Sequence, residues 1–167
     1  MGDLQSSFAS VDVRLTNWMA RYGILLLRLS LGVVYIWFGV LKFFPGLSPA
    51  QELATETIEV LTFGLIPASA SIVILAAWET LIGLGLITGL CMRATLLLLW
   101  LQMAGTITPF FFFPDQVFTH IPYGPTFEGQ YIIKNLVIIG ASIVIGATIR
   151  GGRLVPHSDT DKAPASS

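Results

Sequence analysis

Few residues in this chain could do chemistry, and they stand out because of what surrounds them. Arg28 lies in "LLLRLSLG", inside an oily run that continues to Lys42 in "WFGVLKFF". Glu79 sits in "AAWETLIGLG", Gln102 and Thr106 in "LQMAGTITP", and Glu128, Lys134 and Asn135 in "EGQYIIKNLVIIGAS". Ionisable groups set in such stretches bind ions or substrates, relay protons, or pair with one another. On a helix, Arg28, Gly32, Tyr35, Gly39 and Lys42 recur at spacings of four, three, four and three, so they share one stripe. The glycines permit close helix approach and Tyr35 adds a hydroxyl, so this stripe is expected to face other helices. A snorkelling arginine is the plainer account of Arg28 alone.

Glu79 is the expected acceptor for Arg28. It has Gly83 one turn away, and an isolated carboxylate at that depth must be paired or neutralised. Counting helix rise from the span centres places Arg28 about 7 Å to one side of Glu79 and Lys134 about 9 Å to the other. A guanidinium can cover the shorter distance. The plain alternative is a salt bridge that only sets helix register. Arg28, Lys42 and Lys134 outnumber Glu79, with Glu128 at the mouth. The positive surplus suits an anionic or carbonyl-bearing ligand, such as a quinone headgroup or a small oxyanion, or an acidic residue of a partner subunit.

The composition selects the solvent for these groups. Of the 167 residues, 54% are hydrophobic and 11% charged, well under the roughly 25% charge of soluble domains. A net charge of −1 argues against nucleic acid as a partner. One cysteine, Cys91, cannot form an internal disulfide or a CxxC dithiol. His120 and His157 both lie outside the apolar segments, so no histidine pair for haem is present, and no metal or covalent cofactor is expected.

Four segments, 22–44, 68–90, 94–113 and 131–149, can each cross a bilayer, which takes roughly 20 residues. The expectation is an all-α integral membrane four-helix bundle. Residues 1–21 and 150–167 flank it as polar tails, with no cleavable leader. Arg14, Arg21, Arg93, Arg150, Arg153 and Lys162 fall on one side of this topology, which predicts both termini in the cytoplasm. The other side carries Glu52, Glu56, Glu59, Asp115 and Glu128.

Two outer loops add structure. In "SPAQELATETIEVLTFG", Ser48 is expected as the N-cap, Pro49 at the first helical position and Gln51 as the capping-box partner of a short interfacial helix. Its glutamates Glu52, Glu56 and Glu59 read as a solvated face, with a cation site as the alternative, and Leu53, Ile58 and Leu61 are available to face lipid or protein. Pro109 should end or kink the third span, and the run "TPFFFFPDQVF" reads as an interfacial aromatic belt.

At "LRLSLGVVYIWFGVLKF", "WETLIGLGLITG" and "EGQYIIKNLVIIGA" the chain resembles the DoxX-like family of small bacterial membrane proteins, over residues 21–150. The resemblance implies four spans in a bacterial inner membrane. It also implies an association with redox systems, since related DoxD proteins are membrane subunits of thiosulfate:quinone oxidoreductase. No catalytic residue set is carried over. Three functions are then open: a membrane subunit of a quinone-linked redox complex, a noncatalytic interaction or assembly protein, and a small-solute transporter. Partners on these readings are the bilayer, a soluble or membrane redox subunit, or further copies of the chain. A single four-span unit without internal repeats is thin for transport.

Overall fold

The computed structural model describes residues 2–44, 46–48 and 50–155. Helices dominate them: α1 (Gly2–Leu41), α2 (Gln51–Leu61), α3 (Ala68–Thr88), α4 (Met92–Ile107), the short α5 (Pro109–Phe112) and α6 (Pro114–Val117), and α7 (Phe127–Thr148). Four stretches are long and apolar enough to span a membrane: Ser10–Leu41, Ala68–Thr88, Met92–Phe112 and Phe127–Thr148. The protein is an all-α membrane helix bundle, as the composition predicts.

Local chemistry sets most of the helix ends. Gly89 closes α3 in the left-handed conformation (φ 74°), which glycine adopts without a Cβ penalty. Pro109 divides the third span, since it has no N–H to continue the α4 ladder. The Thr126 side chain caps α7 by accepting from the Gly129 amide at 3.1 Å.

Several expectations are corrected. The segment expected as an N-terminal tail is helical from Gly2 and forms one rod with the first span. Between Asp3 and Tyr22 there is no glycine or proline to interrupt it. The described side chains from Phe8 to Tyr22 are nearly all exposed, so helix propensity rather than packing carries this extension. The capping box does not form: Ala50, in the left-handed region (φ 53°), precedes α2 with no side-chain cap, and Pro49 lies outside the described residues. Gln51 Oε1 instead ends up buried without a hydrogen-bond partner among the described residues. A two-stranded antiparallel ribbon, β1 (Phe118–His120) with β2 (Gly124–Pro125), also interrupts the helices before α7.

The dominant packing is α1 against α3. Gly83 fits under Ile36, where an ideal Cβ would fall 2.7 Å from the Ile36 backbone nitrogen, and at Gly39 it would fall 2.9 Å from the Thr80 nitrogen. These glycines bring the backbones together and lock an antiparallel register of Gly32 beside Ile87 and Gly39 beside Thr80. Around this seam lies the main core, including Leu31, Tyr35, Ile82, Leu86, Leu99 and Ile145. Two indole bonds tie the remaining helices: Trp78 Nε1 donates to the Leu98 carbonyl at 3.0 Å and Trp100 Nε1 to Ser142 Oγ at 2.8 Å.

A second, smaller core joins Leu53 of α2, Val117 and Ile132 of α7. It splits the aromatic run into two roles. Phe110 and Phe113 pack into this core, while Phe111 and Phe112 are exposed as a belt would be. Leu53 is buried in protein and Leu61 remains exposed, so α2 is a packed lid element rather than a purely lipid-lying helix.

Candidate functional site

The register of α1 on α3 decides which charges meet. Because Gly39 lies against Glu79 and Thr80, the carboxylate stands beside the end of α1 and not its middle. Lys42 follows the last residue of α1, and its Nζ donates to Glu79 Oε2 at 2.6 Å. From α4, Gln102 Nε2 donates to Glu79 Oε1 at 2.7 Å. Lys42 Nζ also reaches the Phe38 carbonyl at 3.4 Å. Glu79 is 8% exposed, and the charge-assisted bond from Lys42 is the short, strong kind. Three helices thus converge on one carboxylate.

The cluster is not closed on itself. Tyr35, 5% exposed, shares the α1 stripe with Gly39 and lies within electrostatic reach of Glu79. Its hydroxyl has no hydrogen-bond partner among the described residues, and neither has Gln102 Oε1. A buried polar atom left unpaired costs about 1–3 kcal/mol, so native interiors rarely keep such atoms. Together they offer one free O–H donor and one free acceptor beside an ion pair.

Arg28 does not belong to this site, which corrects the expected pair with Glu79. Both carboxylate oxygens are held by other residues, and Arg28 lies about 21 Å along the helix from Lys42 by rise per residue. The α1 helix is offset along α3, so its last turn, and not its middle, meets Glu79. Arg28 sits instead against Gly89 at the far end of α3.

The remaining candidates scatter. Thr106 donates back to the Gln102 carbonyl at 2.8 Å, steadying α4 one turn from the cluster. Lys134 is exposed on α7 with its Nζ 5.4 Å from the Tyr131 ring centroid, so it is not the second cation expected beside Glu79. Asn135, half-buried on the same helix, is not among the residues bonded to Glu79. Glu128 lines a separate cleft of about 840 Å³ with Gln51, Glu52, Ser69 and Gln116. Gln116 Nε2 donates to Glu56 Oε2 at 2.9 Å beside it. The sequence reading passed over Gln116 and assigned Gln51 to a cap; their polar role follows only from α2 folding over α6. Among the described residues, no group of three or more His, Cys, Asp or Glu side chains is placed to hold a metal ion.

The converging elements are those of a known family, whose model matches residues 23–115. The chain belongs to the DoxX family. No curated protein and no solved structure matches it. The DoxX match contains Arg28, Tyr35, Lys42, Glu79, Gln102 and Thr106, hence the whole Glu79 cluster. It stops before α7, so Glu128, Lys134 and Asn135, and the "EGQYIIKNLVIIGA" stretch, lie outside it.

Proposed function

We propose that this DoxX-family protein is a membrane subunit of a quinone-linked redox complex, with the Glu79 cluster as its intramembrane polar site. The observation that carries this reading is the pair of unpartnered buried atoms, Tyr35 Oη and Gln102 Oε1, beside the Lys42–Glu79 ion pair. A cluster that only set helix register would be expected to satisfy its own hydrogen bonds. The donor set fits a quinone headgroup: the Tyr35 hydroxyl can donate to a ring carbonyl, and Gln102 Oε1 can accept from a ring hydroxyl. The bound group would supply two-electron redox chemistry. Lys42 and Gln102 hold the carboxylate in place, and Glu79 can exchange a proton with a neighbouring hydroxyl. Electrons would come from a separate redox subunit. The positive-inside pattern supports an inner-membrane topology with both termini in the cytoplasm.

A noncatalytic assembly role is the second reading. It is favoured by one observation: both Glu79 oxygens already have protein partners, which is what a register-setting bridge requires.

Titrating a short-chain quinone into the protein in nanodiscs and following tryptophan fluorescence separates the two. Saturable quenching, weakened about tenfold by Tyr35→Phe as a lost hydrogen bond of about 1.4 kcal/mol would do, is the expected result. Absence of saturable quenching in the unaltered protein would overturn the quinone reading and leave the assembly role.

A further inference from the structure

At the Gly89 end of α3 the chain builds a second polar site, of opposite character. A cleft of about 610 Å³ opens between α1, the α3–α4 turn and the end of α7. Its cations are Arg28 and Arg93, and its apolar wall is Met92, Ile145 and Ile149. Arg28 Nε is buried and has no acceptor, and no ion pair joins either arginine among the described residues. The side chain as a whole is half-buried, but an Nε–H shut off from water with no oxygen partner is incomplete.

Four of the described carboxylates are placed elsewhere. Glu79 is consumed by Lys42 and Gln102. Glu52 and Glu128 line the other cleft, and Glu56 accepts from Gln116 beside it. The cleft floor reinforces the demand for negative charge. Cys91 and Met92–Ala94, the uncapped first turn of α4, line it, and there the helix presents its positive end. Arg28 approaches Gly89 through Nη1, and an ideal Cβ on that residue would also fall 3.2 Å from Arg28 Cζ. The absent side chain thus leaves the guanidinium room to turn into the cleft.

We propose that this cleft is a binding site for an anionic phosphate group, held between Arg28 and Arg93. A planar guanidinium matches the paired oxygens of a phosphate, and two of them from different helices can grip one group from two sides. The apolar wall beside the cations fits the acyl chains of an acidic phospholipid, which would continue along α7 from the phosphodiester. A free phosphate offers the same oxyanion without the chains. The site is separate from the Glu79 cluster, which lies mid-way along α3, about 15 Å from Gly89 by rise per residue.

The test is native mass spectrometry of the full chain with equal phosphatidylglycerol and phosphatidylcholine, alongside thermal stability with added inorganic phosphate. Retention of phosphatidylglycerol about tenfold over phosphatidylcholine, equivalent to about 1.4 kcal/mol, is the expected result. Arg28→Gln should bring that preference close to one, and Arg93→Gln should lower it several-fold. Arg150→Gln, exposed and outside the cleft lining, should leave it unchanged. A phosphate-dependent rise in Tm lost in Arg28→Gln, without lipid preference, would assign the site to free phosphate. If Arg28→Gln does not fold, the exposed Arg93→Gln reads the same preference. Equal retention of both lipids with no phosphate effect overturns the proposal, as does a preference that neither arginine substitution lowers.

Discussion

Glu79 and Arg28 are each set into an apolar helix, yet their surroundings differ completely. Glu79 is met on both oxygens by donors from two other parts of the chain, Lys42 and Gln102. Arg28 meets no acceptor among the described residues and faces a cleft. The difference teaches how depth governs a charge in a bundle. Where three helices converge, the chain has to satisfy the charge itself. Near a helix end, where lipid headgroups and solutes reach, it can leave that task to a ligand.

The comparison is broken most severely at the ion pair. Lys42→Met removes the partner of a buried carboxylate and is expected to cost about 3–5 kcal/mol in detergent thermal stability. Combining it with Glu79→Leu should recover most of that loss, because no buried charge is then left unmatched. A double variant as unstable as Lys42→Met would show that the bridge carries net stability beyond charge matching.

Next in size is the seam that sets the register. Gly83→Ala would push a methyl to within 2.6 Å of Ile36 Cγ1 and 2.7 Å of its backbone nitrogen. Overpacking of this kind costs about 1–3 kcal/mol and should also loosen the Lys42–Glu79 contact. Unchanged thermal stability would mean that α1 and α3 tolerate a different register.

A smaller effect sharpens the separation of the two regions. Arg28→Ala and Glu79→Gln should add to within about 0.5 kcal/mol, as distant sites without shared partners do. A larger coupling in a double-mutant cycle would restore a link between them that the α1–α3 register excludes.

The smallest expected effect is at Cys91. It is exposed in the α3–α4 turn, and Cys91→Ser should change stability by no more than about 0.5 kcal/mol. A larger loss would mean that the thiol itself contributes to the Arg28 cleft it borders.

Some of this was legible before any coordinates. The α1 stripe does face α3, with Gly32, Tyr35 and Gly39 buried, because spacings of three and four return to one face whatever the helix packs against. The break at Pro109 follows equally from covalent geometry. The misplaced features depend on contacts. The capping box at Ser48 was a local pattern, overridden when α2 folded down so that Leu53 joined Val117 and Ile132. Lys134 had the right residue type at the right depth but lies on an exposed face of α7.

The amino-acid sequence by itself determined that the chain is a helical membrane bundle. Span length, apolar composition and helix periodicity are properties of each segment alone, and within one segment in lipid only a helix satisfies the backbone's own hydrogen bonds. It also determined which residues are costly to bury. Only the tertiary structure decided which of them meet. Sliding one helix along another by two turns changes no segment's hydrophobicity, yet it moves a cation by about 11 Å and exchanges one partner for another. Steric fit at Gly32, Gly39 and Gly83 chose the offset that gave Glu79 to Lys42 and left Arg28 facing an open cleft.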